Sequence, residues 1–162
     1  MNPVHQRTMG TGMGAPYGDC LKACVASVLD LEYESVPNFI DPGVAGKESW
    51  YEFLSSWLGE LHGLDACGQD YVDEAGDLLF LPHPHVAVAA VWTGGYWIAT
   101  VRSAVFGPRV HNGRLVASTH SIVMHGDAPA FDPLPLPSRP PYEFCGDLWF
   151  EPTNAMTERG GE

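Results

Sequence analysis

The sequence predicts an α+β domain in which helices come first and a run of antiparallel strands follows. Two helical patterns occupy the first part of the chain, and short apolar segments separated by turn signals follow Pro82. Strands that alternated with helices would instead indicate a parallel α/β fold. The chain has 162 residues, 45% of them hydrophobic, which is enough for one sizeable core. We therefore expect a single domain over residues 1–152 and a disordered tail over residues 153–162.

The first helix is predicted over residues 19–31, with Asp19 as its N-cap. The second is predicted from about Glu48 to His62, with Gly63 as its C-terminal cap. Both segments carry apolar residues three and four positions apart, the spacing of one helix face. In the first segment these residues are Leu21, Val25, Val28 and Leu29.

The second half of the chain carries the strand patterns. Apolar and β-branched runs bounded by glycines and prolines are typical of strands and tight turns. The predicted strands are residues 86–92, 96–101, 120–124, 129–131 and 144–150. The proline-rich residues 133–141 indicate irregular or extended backbone between the last two strands.

Charge excludes several classes of partner. The net charge is −12, from 8 Lys and Arg against 20 Asp and Glu. Such a protein repels phosphate backbones and anionic lipid surfaces. The sequence has no apolar run of roughly 18 residues that would span a membrane, and residues 1–18 lack a secretory apolar core. We expect a cytoplasmic protein with neither nucleic acid nor membrane as its partner.

Cys20 is the most informative of the four cysteines, because it stands where the first helix begins. Most free cysteines are small buried hydrophobic residues, and that interpretation stays open for Cys20. A disulfide with Cys24 is disfavoured by helical geometry, and no zinc-ligand spacing occurs. At a helix N-terminus, unpaired N–H groups and the positive end of the macrodipole favour a thiolate. Cys20 is therefore a candidate nucleophile.

A nucleophilic thiolate needs an imidazole and a group that orients it. His120 stands at the start of a predicted strand, and Asp132 follows the predicted return strand. A hairpin can bring these two residues side by side at one end. Taken alone, His120 can be a strand-end histidine and Asp132 a turn residue before proline. Their combination with Cys20 indicates a Cys–His–Asp triad.

The segment GDCLKACVASVLDLEYESVPNF, which contains Cys20, resembles the catalytic cysteine region of papain-like cysteine peptidases. Its DCLKAC letters are closest to the double-glycine leader peptidases. The segment is also similar to small phage-encoded and bacterial proteins of this superfamily, which carry a later His-Ser-Val-Val strand and a His-Asp-Pro phrase, although here Phe131 stands in place of that histidine. Here the corresponding residues are THSIV at 119–123 and FDP at 131–133.

The resemblance implies a papain-like fold, with an N-terminal central helix packed on a small antiparallel sheet. It implies Cys20 as nucleophile, His120 as general base and acid, and Asp132 as the orienting group. Gln6 corresponds to the glutamine that donates to the oxyanion. The implied protein is a thiol hydrolase of a bacterial or phage-infected cell. It cleaves a peptide, isopeptide or related amide bond of a peptide or protein substrate, without a metal or an organic cofactor.

One residue departs from the leader peptidases. They have glycine after the nucleophile, whereas this chain has Leu21, so cleavage after a Gly-Gly pair does not follow.

Two alternatives accompany the hydrolase interpretation. The same triad serves acyl and amine transferases, because a fold does not determine the acceptor. A catalytically silent papain-like fold that binds a phage or bacterial protein is the other alternative. The sequence leaves the substrate and the oligomeric state open.

Overall fold

The computed structural model describes residues 1–7, 18–41, 46, 49–84, 91–103, 107–111, 114–134 and 141–153. Within these ranges, two α-helices and a five-stranded antiparallel sheet form the α+β arrangement that the sequence predicts. The helices are α1 (Cys20–Val28) and α2 (Trp50–His62). The strands are β1 (Leu64–Asp70), β2 (Tyr96–Arg102), β3 (Arg109–His111), β4 (Arg114–Val116), β5 (Thr119–His125), β6 (Ala128–Phe131) and β7 (Phe144–Pro152).

Helix α1 packs its apolar side on the large sheet. Val25 and Val28 belong to the same buried cluster as Ile98 of β2 and Val123 of β5. The helix ends earlier than predicted because Asp30 adopts a left-handed conformation, with φ of 55°. The Leu31 N–H then donates to the carbonyl oxygen of Ala26 at 2.9 Å, which closes the last turn.

Helix α2 begins at Trp50 and carries a complete set of terminal signals. The Ser49 Oγ accepts from the Glu52 N–H at 3.2 Å, and the Glu52 carboxylate accepts from the Ser49 N–H at 2.9 Å. This reciprocal pair is a capping box. Gly63 ends the helix with φ of 61°, which confirms the predicted C-terminal cap.

The five strands lie in the order β1-β7-β2-β5-β6. Strands β2, β5, β6 and β7 confirm four of the predicted segments. Strands β5 and β6 form a hairpin whose turn contains Gly126, with φ of 55°. Strands β3 and β4 form a separate two-stranded ribbon between β2 and β5 in the chain.

The predicted strand pattern needs correction in two places. Strand β1 lies outside the predicted strands, because its residues show no apolar alternation; it is an edge strand that pairs with β7. The strand predicted over residues 86–92 is wrong at its end, where Val91–Thr93 forms a 3₁₀ turn. Three predicted segments lie outside the described residues: residues 86–90 of that strand, the proline-rich residues 135–140 and the tail from residue 154. Among the residues described, no helix is long and apolar enough to cross a membrane.

Candidate active site

Cys20 is the first residue of α1 and is partly exposed. Asp19 occupies the N-cap position, but its side chain makes no capping hydrogen bond, and the first turn contains no acidic residue. The first-turn N–H groups of a helix have no intrahelical acceptor, and the macrodipole is positive at that end. The backbone around Cys20 therefore favours a negatively charged sulfur.

The β5–β6 hairpin brings His120 and Asp132 together, as the sequence predicts. His120 is the second residue of β5, and Asp132 directly follows β6. The His120 Nε2 lies 2.7 Å from the Asp132 Oδ1, and each side chain is 6% exposed. The same oxygen accepts from the Leu134 N–H at 2.9 Å, which fixes the carboxylate to the chain that follows it. The imidazole is thus held by a buried and anchored carboxylate.

The Cys20 thiol and the His120 side chain are close enough for each to change the pKa of the other. Burial by itself would raise the pKa of Cys20. The hydrogen bond and charge of His120, together with hydrogen bonds from the backbone and side chain of Ser121, outweigh burial and lower this pKa below its ordinary value. Because Asp132 engages Nε2, the Nδ1 atom is the ring nitrogen available to the thiol.

The pKa of His120 changes in the opposite direction. Burial would lower it, but the hydrogen bonds to Asp132 and Cys20 and the charges of both groups raise it to about 9. A lowered thiol pKa beside a raised imidazole pKa shifts the balance from neutral thiol and imidazole towards a thiolate–imidazolium pair. Such a pair is a preformed nucleophile and proton donor.

The other three thiols differ from Cys20. Burial and the charges of Cys20 and Asp132 raise the pKa of Cys24 well above its ordinary value. Burial is also the main cause of the raised pKa values of Cys67 and Cys145, the latter to about 12. All four cysteines are free, and only the pKa of Cys20 is lowered. Cys24 is therefore a buried thiol with a raised pKa, whereas Cys20 is partly exposed and has a lowered pKa.

Gln6 is buried and lies between the two halves of the site. Its backbone N–H donates to the carbonyl oxygen of Pro133 at 3.0 Å, next to Asp132. The following N–H, that of Arg7, donates to the Asp19 Oδ2 at 3.1 Å, next to Cys20. This placement is compatible with an oxyanion donor, and that role of Gln6 stays a prediction.

Two contributors to the site were missed in the sequence. Ser121 helps to lower the pKa of Cys20, and the Asp19 carboxylate binds the Arg7 N–H outside its own helix. The adjacency of Ser121 to His120 was the available signal, but a strand with five consecutive buried residues does not reveal which side faces a helix. In the part of the chain that the structure describes, no group of three or more His, Cys, Asp and Glu residues is arranged to hold a metal ion.

The chain matches no protein-family model, and no curated protein or solved structure is significantly similar to it. Its function is therefore inferred from the geometry and chemistry of Cys20, His120, Asp132 and the groups around them.

Proposed function

We propose that the protein is a cysteine hydrolase of papain-like fold that cleaves a peptide, isopeptide or related amide bond. The observation that carries the proposal is the buried His120–Asp132 pair, joined at 2.7 Å, beside a helix-terminal thiol whose pKa His120 lowers. A thiol at the start of a helix, facing a sheet that carries the histidine and aspartate, also supports a papain-like arrangement. The four functions required of such a site are a nucleophile, a proton carrier, an orienting group and oxyanion donors.

In the proposed reaction, the Cys20 thiolate attacks the substrate carbonyl carbon, and the carbonyl π electrons move to oxygen. The backbone N–H of Cys20 and the side-chain amide of Gln6 donate to that oxyanion. Each such donor contributes about 2.7–4 kcal/mol of transition-state stabilisation in related chemistry. The His120 imidazolium then donates its proton to the leaving nitrogen as the C–N bond breaks, which leaves a thioester on Cys20.

Water resolves the thioester in the second half of the reaction. The neutral His120 accepts a proton from water as the water oxygen attacks the acyl carbon, and the thiolate leaves. Asp132 keeps the imidazole in the required orientation through both steps and stabilises the imidazolium. General acid–base catalysis of this kind contributes about 10²–10⁴-fold.

Alkylation by iodoacetamide from about pH 5 to about pH 9, mapped to each cysteine by mass spectrometry, tests the thiolate–imidazolium pair. We expect Cys20 to react ahead of Cys24, Cys67 and Cys145 near pH 6. His120→Ala should slow the reaction of Cys20 at that pH about tenfold or more, because one pKa unit changes the thiolate fraction tenfold.

His125→Ala is the matched control, since His125 lies on the same strand and is exposed. It should leave the Cys20 profile unchanged. If Cys20 of the wild type reacts no faster than the other cysteines, the hydrolase proposal is wrong. A silent binding module would then be the better account of the fold.

A further inference from the structure

Asp19 is a buried carboxylate next to the candidate nucleophile, and its residue is only 2% exposed. It stands at the N-cap position, where aspartate commonly accepts from the first-turn N–H groups. Its side chain makes no such bond. Instead its Oδ2 accepts from the backbone N–H of Arg7 at 3.1 Å and from the Tyr33 hydroxyl. The carboxylate therefore binds two segments outside its own helix.

The N-terminal segment, residues 1–7, runs antiparallel to α1 and is bound along its length. The Val4 N–H donates to the Ser27 Oγ at 2.8 Å near the end of the helix, and the Arg7 bond to Asp19 lies at its start. Between them, the Gln6 N–H donates to Pro133. The backbone of Gln6 is thus bonded through its own N–H and through the next N–H along the chain.

Tyr33 holds Asp19 from the other side. Burial, followed by the hydrogen bond to Asp19, raises the pKa of the Tyr33 hydroxyl, so it stays protonated and donates to the carboxylate. Two cations lie over the Tyr33 ring: the Arg7 guanidinium, 4.2 Å from the ring centroid, and the Lys22 ammonium, 4.0 Å from it. These contacts keep the ring and its hydroxyl against the start of α1.

We infer that Asp19 is a positioning residue for the oxyanion site. Asp19 directly precedes Cys20, and its carboxylate accepts from the Arg7 N–H, next to Gln6. This bond holds the Gln6 side chain in a constant position relative to the sulfur. This inference rests on the proposed function, because it assigns Asp19 a role in that reaction. A merely structural Asp19 would affect every reaction of Cys20 alike, whereas a positioning residue affects only reactions that form an oxyanion.

Two electrophiles separate these cases. With iodoacetamide, the Cys20 sulfur displaces iodide from a saturated carbon, and no oxyanion forms. With p-nitrophenyl acetate, the sulfur attacks a carbonyl carbon, p-nitrophenolate leaves, and an acetyl thioester remains on Cys20. Both products are measured on Cys20 by mass spectrometry at the same pH, about 7, so that the thiolate fraction is the same in the two reactions.

We expect Asp19→Asn to slow acetylation of Cys20 about tenfold or more, because the loss of one oxyanion donor slows such reactions by at least that factor. Alkylation of Cys20 should change by less than about twofold. Gln6→Ala should show the same split. Tyr33→Phe, a milder change that leaves the carboxylate in place, should show it to a smaller extent. Asp127→Asn is the control: it is the same substitution at an exposed position in the turn between β5 and β6, away from residues 1–7, and both rates should stay unchanged.

Unchanged acetylation in both Asp19→Asn and Tyr33→Phe overturns the inference and leaves the hydrolase proposal intact. Equal losses in both reactions also overturn it, because Asp19 would then act on the thiol or on the fold. Slow alkylation of Cys20 in the wild type near pH 6 is a different failure, which rejects the proposed function itself.

Discussion

The two α-helices that the structure describes begin in different ways. Helix α2 has a capping box formed by Ser49 and Glu52, an acidic residue in its first turn, and His62 in its last turn. Helix α1 has neither a side-chain cap nor an acidic first turn, and no basic residue in its last turn. The start of α2 is built to stabilise a helix. At the start of α1, no capping side chain and no acidic first-turn residue offset the positive end of the helix, where Cys20 lies.

The packing of the two helices explains how α1 does without a cap. Ala23, Cys24, Val25 and Ala26 are all 0% exposed, so tertiary packing holds α1 in place. In α2 the buried residues are Leu54 and Leu58, and more of its surface faces solvent. A helix on the surface depends more on its terminal signals, since packing contributes less to its stability. A buried helix can leave its N-terminal donors available for chemistry.

The largest effect is expected from removing the carboxylate that pairs with His120, the histidine beside the start of α1. Asp132→Asn replaces the carboxylate that holds the His120 imidazole and raises its pKa. We expect the His120 titration, followed by the NMR signals of its ring, to move from about 9 towards its ordinary value of about 6.5. Hydrolysis of the Cys20 thioester should slow about 10²-fold or more, as measured by the loss of acetyl-Cys20 with time.

The same substitution has a predicted pH dependence. Because the folded pKa of His120, about 9, exceeds that of the unfolded chain, the stabilisation from its proton is complete below about pH 6.5 and is lost as the pH rises through about 9. The loss of Tm in Asp132→Asn should therefore be larger near pH 6 than above pH 9, by thermal unfolding at the two pH values. An equal loss at both would mean that the pair is not charged in the folded protein.

A smaller effect is expected at the capped helix. Ser49→Ala removes the acceptor of the Glu52 N–H and should lower the free energy of unfolding by about 1 kcal/mol. The alkylation profile of Cys20 should not change. Ser56→Ala, at an exposed position of the same helix, is the control and should cost little or no stability. Denaturant unfolding measures both variants, and a comparable loss in Ser56→Ala would contradict a specific capping role for Ser49.

The smallest effect tests the comparison directly. Lys22 occupies in α1 the position, three residues after the N-cap, that Glu52 occupies in α2. Lys22→Glu therefore gives α1 the acidic first turn of α2, and its carboxylate should raise the pKa of Cys20. We expect alkylation of Cys20 near pH 6 to slow about twofold to fivefold, the effect of 0.3–1 kcal/mol at a helix terminus.

Lys22→Gln removes the same cation from the Tyr33 ring without adding a negative charge, and should have less effect on the alkylation rate of Cys20. Equal rates in Lys22→Glu and Lys22→Gln would show that the start of α1 does not influence the sulfur electrostatically.

The sequence by itself determined the parts of the molecule that depend on neighbouring residues. The apolar periodicity placed both helices, and α1 begins at Cys20, one residue after its predicted start. A strand, a turn and a return strand placed His120 beside Asp132, because a hairpin closes over a short stretch of chain. These features follow from local periodicity and turn chemistry, so a single sequence is enough to predict them.

Only the tertiary structure decided which distant groups meet. Asp19 has the residue type and position of a helix cap, yet its carboxylate binds Arg7 and Tyr33 instead. The position of Gln6 depends on Pro133, and strand β1 depends on the far end of the chain at β7. These contacts form because folding the sheet brings separate segments together. No pattern of neighbouring residues encodes them.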